Sequence, residues 1–320
     1  MTLTLHTLHD FTLLFHSPPI ELVFTSHPAW PRPKRSIPQR PLQISVLDAS
    51  FNPPTIAHLA LANARRPRYR SIEESNGHDY DAKLLLLSVR NADKQLKSTD
   101  ATHAQRLEMM IRFAQELVTV DEAPKKYENV AVAIIGEPTF VGKSHLLQRF
   151  LKERTNNQEE FRLTFLLGFD TLERFFAPRY YTSSASFDIL EAKQQMYTSL
   201  EGFFAPHGDN SRIVCARRSP SSYPQSTASQ SPSKIPESLS QEDPPFDPTI
   251  PYPLSSTIRD FFRSRSLTFE LVKMIDLGEE VWAVSSSDVR NAIMQRDGRW
   301  KALTPPLVKE FIEIRNLYCS

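Results

Sequence analysis

The amino-acid sequence predicts an α/β fold: a Rossmann-like, doubly wound parallel sheet with helices in the C-terminal part. Five short apolar runs recur along the chain, at residues 44–47, 83–89, 130–135, 162–168 and 212–216. Continuous apolar runs are typical of strands that are buried on both faces. The segments between the runs are long enough for crossover helices, and alternating strands and helices are the pattern of a doubly wound domain.

The first run leads through a turn into an alanine-rich segment, "DASFNPPTIAHLALANA". Pro54 and Thr55 mark a helix start, which places His58 in the first helical turn. The N-terminus of a helix at the carboxyl end of a parallel strand favours anions, and an imidazole there adds a donor. The pattern predicts a phosphate site, although a histidine at a helix start can equally be structural.

The later elements follow from periodicity and capping. Apolar residues at helical spacing predict a helix over 101–118 with Asp100 as its N-cap. After residue 252 we expect a helix near 255–275, a short strand at 280–284, a helix from about 286, and a last helix with Thr304 as N-cap before a proline.

The chain divides into an N-terminal extension, 1–41, which is proline-rich at its end, and one domain, 42–320. An insertion at 219–250 interrupts this domain, and 16 of its 32 residues are Ser or Pro. Such a segment buries too little apolar surface to offset its ordering entropy, so we predict disorder.

Composition excludes several classes of function. Lys plus Arg number 38 and Asp plus Glu 37, so the net charge of +1 gives no global field for nucleic acid or an anionic membrane. No apolar run approaches a transmembrane length, and the N-terminus lacks a secretory pattern. Cys215 and Cys319 form neither a disulfide framework nor a metal motif. We expect no nucleic-acid or membrane partner, no protein metal ligands, and a cytoplasmic location, with the nucleus open as a second location. The sequence does not indicate the oligomeric state.

The string "SFNPPTIAHL" resembles the signature G-[ST]-F-N-P-x-[HT]-x-[GM]-H of the nucleotidyltransferase superfamily. Within this superfamily, the string resembles in particular the nicotinamide mononucleotide adenylyltransferases and their divergent fungal relatives. Ala49 and Ala57 depart from the signature, and Thr55 stands where bacterial members have histidine. The positions that match include Ser50, Phe51, Asn52, Thr55 and His58.

A second motif of this family, [IV]-S-[ST]-[ST]-x-[IV]-R, is similar to "AVSSSDVRNAI" at 283–293. The match places Ser285, Ser286, Ser287 and Arg290 at the phosphates. "LSSTIRDFF" at 254–262 also fits and would offer Arg259 instead. Arg290 is preferred because its motif follows the strand-like 280–284 and precedes a segment that resembles the family's closing helix.

Three further segments resemble segments of the same family. Lys94 in "SVRNADKQL" resembles the lysine that reaches the phosphates, and Arg106 follows on the next helix as a substrate-binding residue. Gly168 and Asp170 in "LLGFDTLERFF" resemble the segment that contacts the nucleotide sugar and base.

The resemblance implies transfer of AMP from Mg-ATP to nicotinamide mononucleotide, giving NAD and pyrophosphate. The implied catalytic residues are His58, Lys94 and Arg290. The implied ATP-binding residues are Ser50, Phe51, Asn52, Thr55, Gly168, Asp170, Ser285, Ser286 and Ser287. The resemblance also implies magnesium, which would arrive with ATP.

Three alternatives stay open. Relatives with similar motifs use other phosphorylated acceptors. A phosphate loop at Gly142, Lys143 and Ser144 would make the protein an ATPase, but Glu137 stands where that motif requires glycine. A non-catalytic, nucleotide-sensing module is the third alternative.

Overall fold

The computed structural model describes residues 19–33, 40–69, 79–89, 99–118, 129–182, 188–217, 250–251 and 254–319. Lys94 and all but the last residue of the predicted insertion lie outside these ranges.

The described residues form one seven-stranded sheet in the order β1-β4-β3-β2-β5-β6-β7. Its strands are β1 Ile20–Thr25, β2 Leu42–Asp48, β3 Ala82–Ser88, β4 Val130–Ile135, β5 Phe161–Gly168, β6 Arg212–Ala216 and β7 Val272–Ile275. β1 runs antiparallel to β4, and all other neighbours are parallel. Counted from β2, the parallel strands follow the order 3-2-1-4-5-6 of the Rossmann fold. The α/β, doubly wound fold class is confirmed, and so are the strands predicted from the five apolar runs.

Nine α-helices lie in the described ranges. They are α1 Ile56–Asn63, α2 His103–Val118, α3 Phe140–Arg154, α4 Phe169–Phe175, α5 Ile189–Phe204, α6 Leu254–Ser264, α7 Glu279–Trp282, α8 Ser286–Met294 and α9 Pro306–Arg315. None of these helices combines the length and the apolar character that crossing a membrane would require.

The helices cover the sheet on both faces and create two core layers. Along β3, Leu84 and Leu86 join one layer while Leu85 and Leu87 join the other, as the two-residue period of a strand requires. The first layer contains side chains of α3, α4, α5 and α6. The second contains side chains of α1, α2, α8 and α9. The continuous apolar runs of the sequence thus reflect strands covered on both sides.

The predicted strand at 280–284 is wrong. Glu279–Trp282 is the short helix α7, and the sixth parallel strand is Val272–Ile275, inside the segment predicted to be helical. Val272 pairs with Ile213 of β6, so the sheet edge determines the conformation of β7. A strand of this kind forms because it pairs with a neighbouring strand in the fold. A short apolar run does not predict such a pairing.

Two predicted caps are also wrong. Thr102, which precedes α2, accepts the Gln105 amide on its side chain at 3.2 Å, and its own amide donates to Gln105 Oε1 at 2.8 Å. This is a capping box, so Asp100 is not the cap and takes another role. Pro305, not Thr304, is the N-cap of α9, and the Thr304 hydroxyl donates to the Trp300 carbonyl.

β1 is a strand that the sequence analysis did not predict. It lies within the segment assigned to the N-terminal extension and pairs with β4, for example Ile20 with Ile135. The segment therefore supplies the antiparallel edge of the sheet.

Candidate functional site

The turn between β2 and α1 lies at the carboxyl edge of the sheet, next to the centre of the strand order. Thr55 is the N-cap of α1, and His58 occupies the third helical position. Each side chain accepts the backbone amide of the other, which makes a capping box. His58 therefore lies in the first helical turn, as predicted.

The capping box determines which ring nitrogen of His58 carries the hydrogen. The Thr55 amide donates to Nδ1 at 3.1 Å, so the neutral imidazole carries its hydrogen on Nε2. Within the described part of the chain, no atom forms a hydrogen bond with Nε2. Desolvation lowers the pKa of His58 to about 4. The site therefore presents a neutral N–H donor at physiological pH.

The backbone amides at the start of α1 are mostly engaged within the protein. This corrects the sequence interpretation, which expected them to be free to bind a phosphate. The Ile56 amide donates to the Leu303 carbonyl at 3.0 Å, and the His58 amide faces the Thr55 hydroxyl. Two of the first three helical amides thus have partners within the protein. Side chains, rather than the helix start itself, supply most of the donors.

Phe51 and Asn52 shape the turn. Phe51 is fully buried and has a φ of 45°, which is strained for a bulky residue. Its ring packs against His58 with centroids 5.4 Å apart. Asn52 is buried as well, and its side-chain nitrogen donates to Asp100 Oδ1 at 2.7 Å.

Asp100 joins the turn to two arginines. Its carboxylate lies 3.7 Å from Arg106 Nη2 and 3.8 Å from Arg290 Nε. Arg106 also donates to the Ser50 carbonyl, and Arg290 donates to the Asn52 carbonyl. Two cations thus share one carboxylate, which leaves this group of three side chains with net positive charge.

The start of α8 packs against the same turn. The Ser286 hydroxyl donates to the Pro53 carbonyl at 2.7 Å, and Arg290 Nη2 donates to Ser287 Oγ at 3.2 Å. Ser285 caps α8 and is paired with Asp288, whose carboxylate adds negative charge at this end. The two motifs, more than 200 residues apart in sequence, therefore meet in space.

Arg259 does not share this position. It lies on α6, whose buried Ile258, Phe261 and Phe262 belong to the first core layer, whereas Phe51 and α8 belong to the second. Of the two arginines, Arg290 is therefore the one that contacts the turn after β2, although the strand used to argue for it was wrong.

Gly168 and Asp170 lie at the end of β5, the neighbour of β2 in the sheet. Leu47 pairs with Leu166, so Gly168 stands at the level of Ala49 on the same edge. Gly168 is the N-cap of α4, and a Cβ built there would meet no atom within 4 Å. Asp170 is exposed in the first turn of α4. Gly168 therefore stands at the same sheet edge as the turn after β2, and Asp170 follows it by two residues.

The Gly142-Lys143-Ser144 segment is not arranged as a phosphate loop. Lys143 Nζ forms a buried ion pair with Asp48 at the end of β2. Thr139 caps α3 through the Gly142 amide, and Glu137 accepts from both the amide and the hydroxyl of Thr139. The lysine and the loop donors are thus engaged within the protein.

Sequence reasoning missed Asp100 as a site residue and did not single out Tyr318. The Tyr318 hydroxyl donates to Asn52 Oδ1 at 2.8 Å. Asp100 was missed because the sequence analysis assigned it as the N-cap of the helix over 101–118. For Tyr318, the only signal was its place in the closing segment "EFIEIRNLY".

In the described ranges, no cluster of three His, Cys, Asp or Glu side chains could hold a metal ion.

Comparison with curated proteins finds a Schizosaccharomyces pombe protein named "Putative nicotinamide mononucleotide adenylyltransferase", 32% identical over 148 residues. The chain resembles the nicotinamide mononucleotide adenylyltransferases. The match covers 46% of this chain and spans about half the length of that relative, 48%. No family model matches the chain.

Among solved structures, the chain is similar to Plasmodium falciparum nicotinic acid mononucleotide adenylyltransferase complexed with NaAD. The TM-score is 0.44 at 14% identity, covering 86% of this chain and 97% of the other. The same enzyme complexed with APC gives a TM-score of 0.42 at 13% identity, covering 86% and 96%. Because these scores are below 0.5, the fold assignment rests on the strand order itself.

Proposed function

We propose that the protein is an adenylyltransferase that moves AMP from Mg-ATP to nicotinamide mononucleotide, giving NAD and pyrophosphate. The observation that carries the proposal is that the turn after β2 holds both His58, which accepts the Thr55 amide on Nδ1 and keeps its hydrogen on Nε2, and Arg290, which donates to the Asn52 carbonyl. The sequence similarity to the Schizosaccharomyces pombe protein supports the same reaction.

In the proposed reaction, a 5′-phosphate oxygen of the mononucleotide attacks the α-phosphorus of ATP. The bond from the α-phosphorus to the bridging oxygen breaks, and pyrophosphate leaves with the electron pair. No covalent enzyme intermediate forms. The protein's task is to position the reactants and to stabilise the charge that develops on the phosphates.

Each residue has a role within this scheme. His58 donates from Nε2 to a phosphate oxygen, and Arg290 binds the pyrophosphate portion together with Ser286 and Ser287. Lys94 is proposed as a second cation at the phosphates. Arg106 binds the acceptor's phosphate, and Gly168 leaves room for the nucleotide sugar or base beside Asp170.

Magnesium enters as part of the substrate Mg-ATP. Mg²⁺ commonly keeps several waters and binds substrate phosphates, so a dedicated set of protein ligands is not required. We propose a cytoplasmic location, where NAD and ATP are both used.

The test is an acceptor panel with purified protein and Mg-ATP. The acceptors are nicotinamide mononucleotide, nicotinic acid mononucleotide, pantetheine phosphate, choline phosphate and flavin mononucleotide, with a tube that contains none. Pyrophosphate, inorganic phosphate and dinucleotide are measured together.

We expect pyrophosphate and NAD in equal amounts with nicotinamide mononucleotide. A clear preference for another acceptor would replace the substrate but keep the reaction class. Acceptor-independent inorganic phosphate would indicate an ATPase. Nucleotide binding without any product in all tubes would contradict the enzyme assignment and favour a sensor.

A further inference from the structure

Tyr318 follows α9 and reaches back to the turn after β2. Its side chain is 7% exposed and lies in the second core layer. Its hydroxyl donates to Asn52 Oδ1, across 266 positions of sequence. Burial raises the pKa of Tyr318 well above its usual range, so the hydroxyl stays protonated and remains a donor.

The Asn52 side chain is held at both ends. Its Oδ1 accepts from the Tyr318 hydroxyl at 2.8 Å and from the Ala101 amide at 3.2 Å, while its Nδ2 donates to Asp100. A rotation of the amide would break these three hydrogen bonds inside a buried site. Such a loss is costly because each buried group left without a partner keeps its full desolvation penalty.

The network continues to the cations. The Asp100 carboxylate accepts a hydrogen bond from the Asn52 side chain and forms ion pairs with Arg106 and Arg290. The Asn52 backbone carbonyl accepts a hydrogen bond directly from Arg290. One residue, Asn52, therefore contacts the phosphate arginine through its backbone and the shared carboxylate through its side chain. Tyr318 is the donor at the far end of this chain of contacts.

The backbone on both sides of the network is strained. Phe51, next to Asn52, has a φ of 45°, and Tyr318 has a φ of 63°. Bulky residues rarely occupy this left-handed region, and residues held there cluster at functional sites, where the surroundings enforce the conformation. One strained aromatic residue precedes Asn52 and the other donates a hydrogen bond to it. This arrangement indicates that the position of the Asn52 side chain serves the site as well as the packing of the core.

We propose that Tyr318 is a positioning residue: its hydroxyl orients Asn52, and Asn52 and Asp100 together hold Arg290 at the phosphate site. The proposal rests on the proposed function for its catalytic consequence. It also makes a claim about the free protein, which can be tested without any substrate.

The first test is Tyr318→Phe, which keeps the ring and removes the hydroxyl. We expect kcat to fall about tenfold, with KM for Mg-ATP changed by less than about threefold, because one buried hydrogen bond is lost while the binding groups remain. The matched control is Tyr197→Phe on α5, a tyrosine that is 8% exposed and lies in the first core layer. A kcat of Tyr318→Phe equal to that of the control would overturn the proposal.

A double-mutant cycle separates positioning from a general packing role. If Tyr318 acts through Asn52, Tyr318→Phe has no further effect on kcat in an Asn52→Ala background, whereas independent effects would multiply. Multiplying effects would contradict the proposal.

Amide hydrogen exchange of Ala101 needs no turnover and does not depend on the Asn52→Ala variant folding. Its N–H is held by Asn52 Oδ1, so we expect exchange to be about tenfold faster in Tyr318→Phe and unchanged in Tyr197→Phe. Unchanged exchange in Tyr318→Phe would overturn the proposal. If no acceptor supports turnover, the proposed function fails, while this measurement still decides whether Tyr318 orients Asn52.

Discussion

His58 is a partly exposed histidine that is nevertheless held in its neutral form. Desolvation lowers its pKa from 6.5 to about 4, and the Thr55 amide occupies Nδ1. Between pH 4 and 6.5 the unfolded chain binds a proton that the folded chain does not, so stability falls as the pH falls through this window. A neutral donor is also suited to a site that already contains two arginines.

The first prediction concerns this titration. NMR of the His58 ring should show a midpoint near pH 4, with no transition near 6.5. His58→Gln, which keeps a residue able to complete the capping box, assigns the signal and should lose less stability than wild type between pH 6.5 and 4.5. A midpoint near 6.5 would show that the imidazole is hydrated and freely protonated.

The second prediction concerns Gly168. Its backbone is extended, with a φ of −77°, and a Cβ meets nothing within 4 Å, so Gly168→Val should leave the melting temperature unchanged. If a nucleotide fills this space, KM for Mg-ATP should rise about tenfold or more, equivalent to about 1.4 kcal/mol. Gly202→Val on α5, where a Cβ is also unobstructed, is the matched control. An unchanged KM would remove Gly168 from the nucleotide site.

The sequence predicted the residues whose roles depend on near neighbours. Thr55 and His58 are three positions apart, and their spacing in one helical turn is readable directly. Asp100 and Tyr318 depend on contacts with Asn52 across 48 and 266 positions. Such contacts follow from the packing of α2 and α9 on the sheet, which no local pattern encodes.

Among the elements, β3 and the end of α1 are joined by a buried lysine. Lys83 in β3 is buried and donates to the Ala62 carbonyl at the end of α1. Burial lowers its pKa from 10.5 to about 8. Between pH 8 and 10.5 the unfolded state binds more protons than the folded state, so the contribution of Lys83 to stability rises with pH.

The third prediction follows from this shift. The stability of wild type relative to Lys83→Met should increase by about 2 kcal/mol between pH 7.5 and 9.5. Urea unfolding of both proteins at the two pH values measures this difference, in which the titrations of other groups cancel. A difference that is independent of pH would mean that Lys83 has an ordinary pKa in the folded protein.

Elements with a continuous apolar run, strong periodicity or clear capping were predictable, and the four-residue elements β7 and α7 were not. α2 and α8 begin within two residues of the positions expected. β7 and α7 were predicted with the wrong conformations because "VKMI" and "EEVW" are four-residue segments. At this length, pairing with β6 and the acidic start of α7 outweigh the apolar pattern.

At the scale of the whole molecule, the strand order explains how distant motifs make one site. Because β2 lies between β3 and β5, the turn after β2, Asp100 after β3 and Gly168 at the end of β5 share one edge of the sheet. Ligands of open α/β sheets bind at this edge, where the strand order reverses. The doubly wound class was predictable from alternating runs, but the antiparallel edge strand β1 was not, because its pairing with β4 spans more than 100 residues.

The measurement that tests the central claim most directly compares wild type, His58→Ala and His145→Ala in the formation of NAD and pyrophosphate from Mg-ATP and nicotinamide mononucleotide. His145 lies on α3 and its side chain is 73% exposed, which makes it a control for loss of a histidine. We predict equal amounts of both products with wild type and His145→Ala, and a kcat reduced about 100-fold in His58→Ala, which stays folded at the assay temperature although loss of the capping box lowers its melting temperature. Near-normal turnover by folded His58→Ala would contradict the account, because the donor at the turn after β2 would then have no part in the reaction.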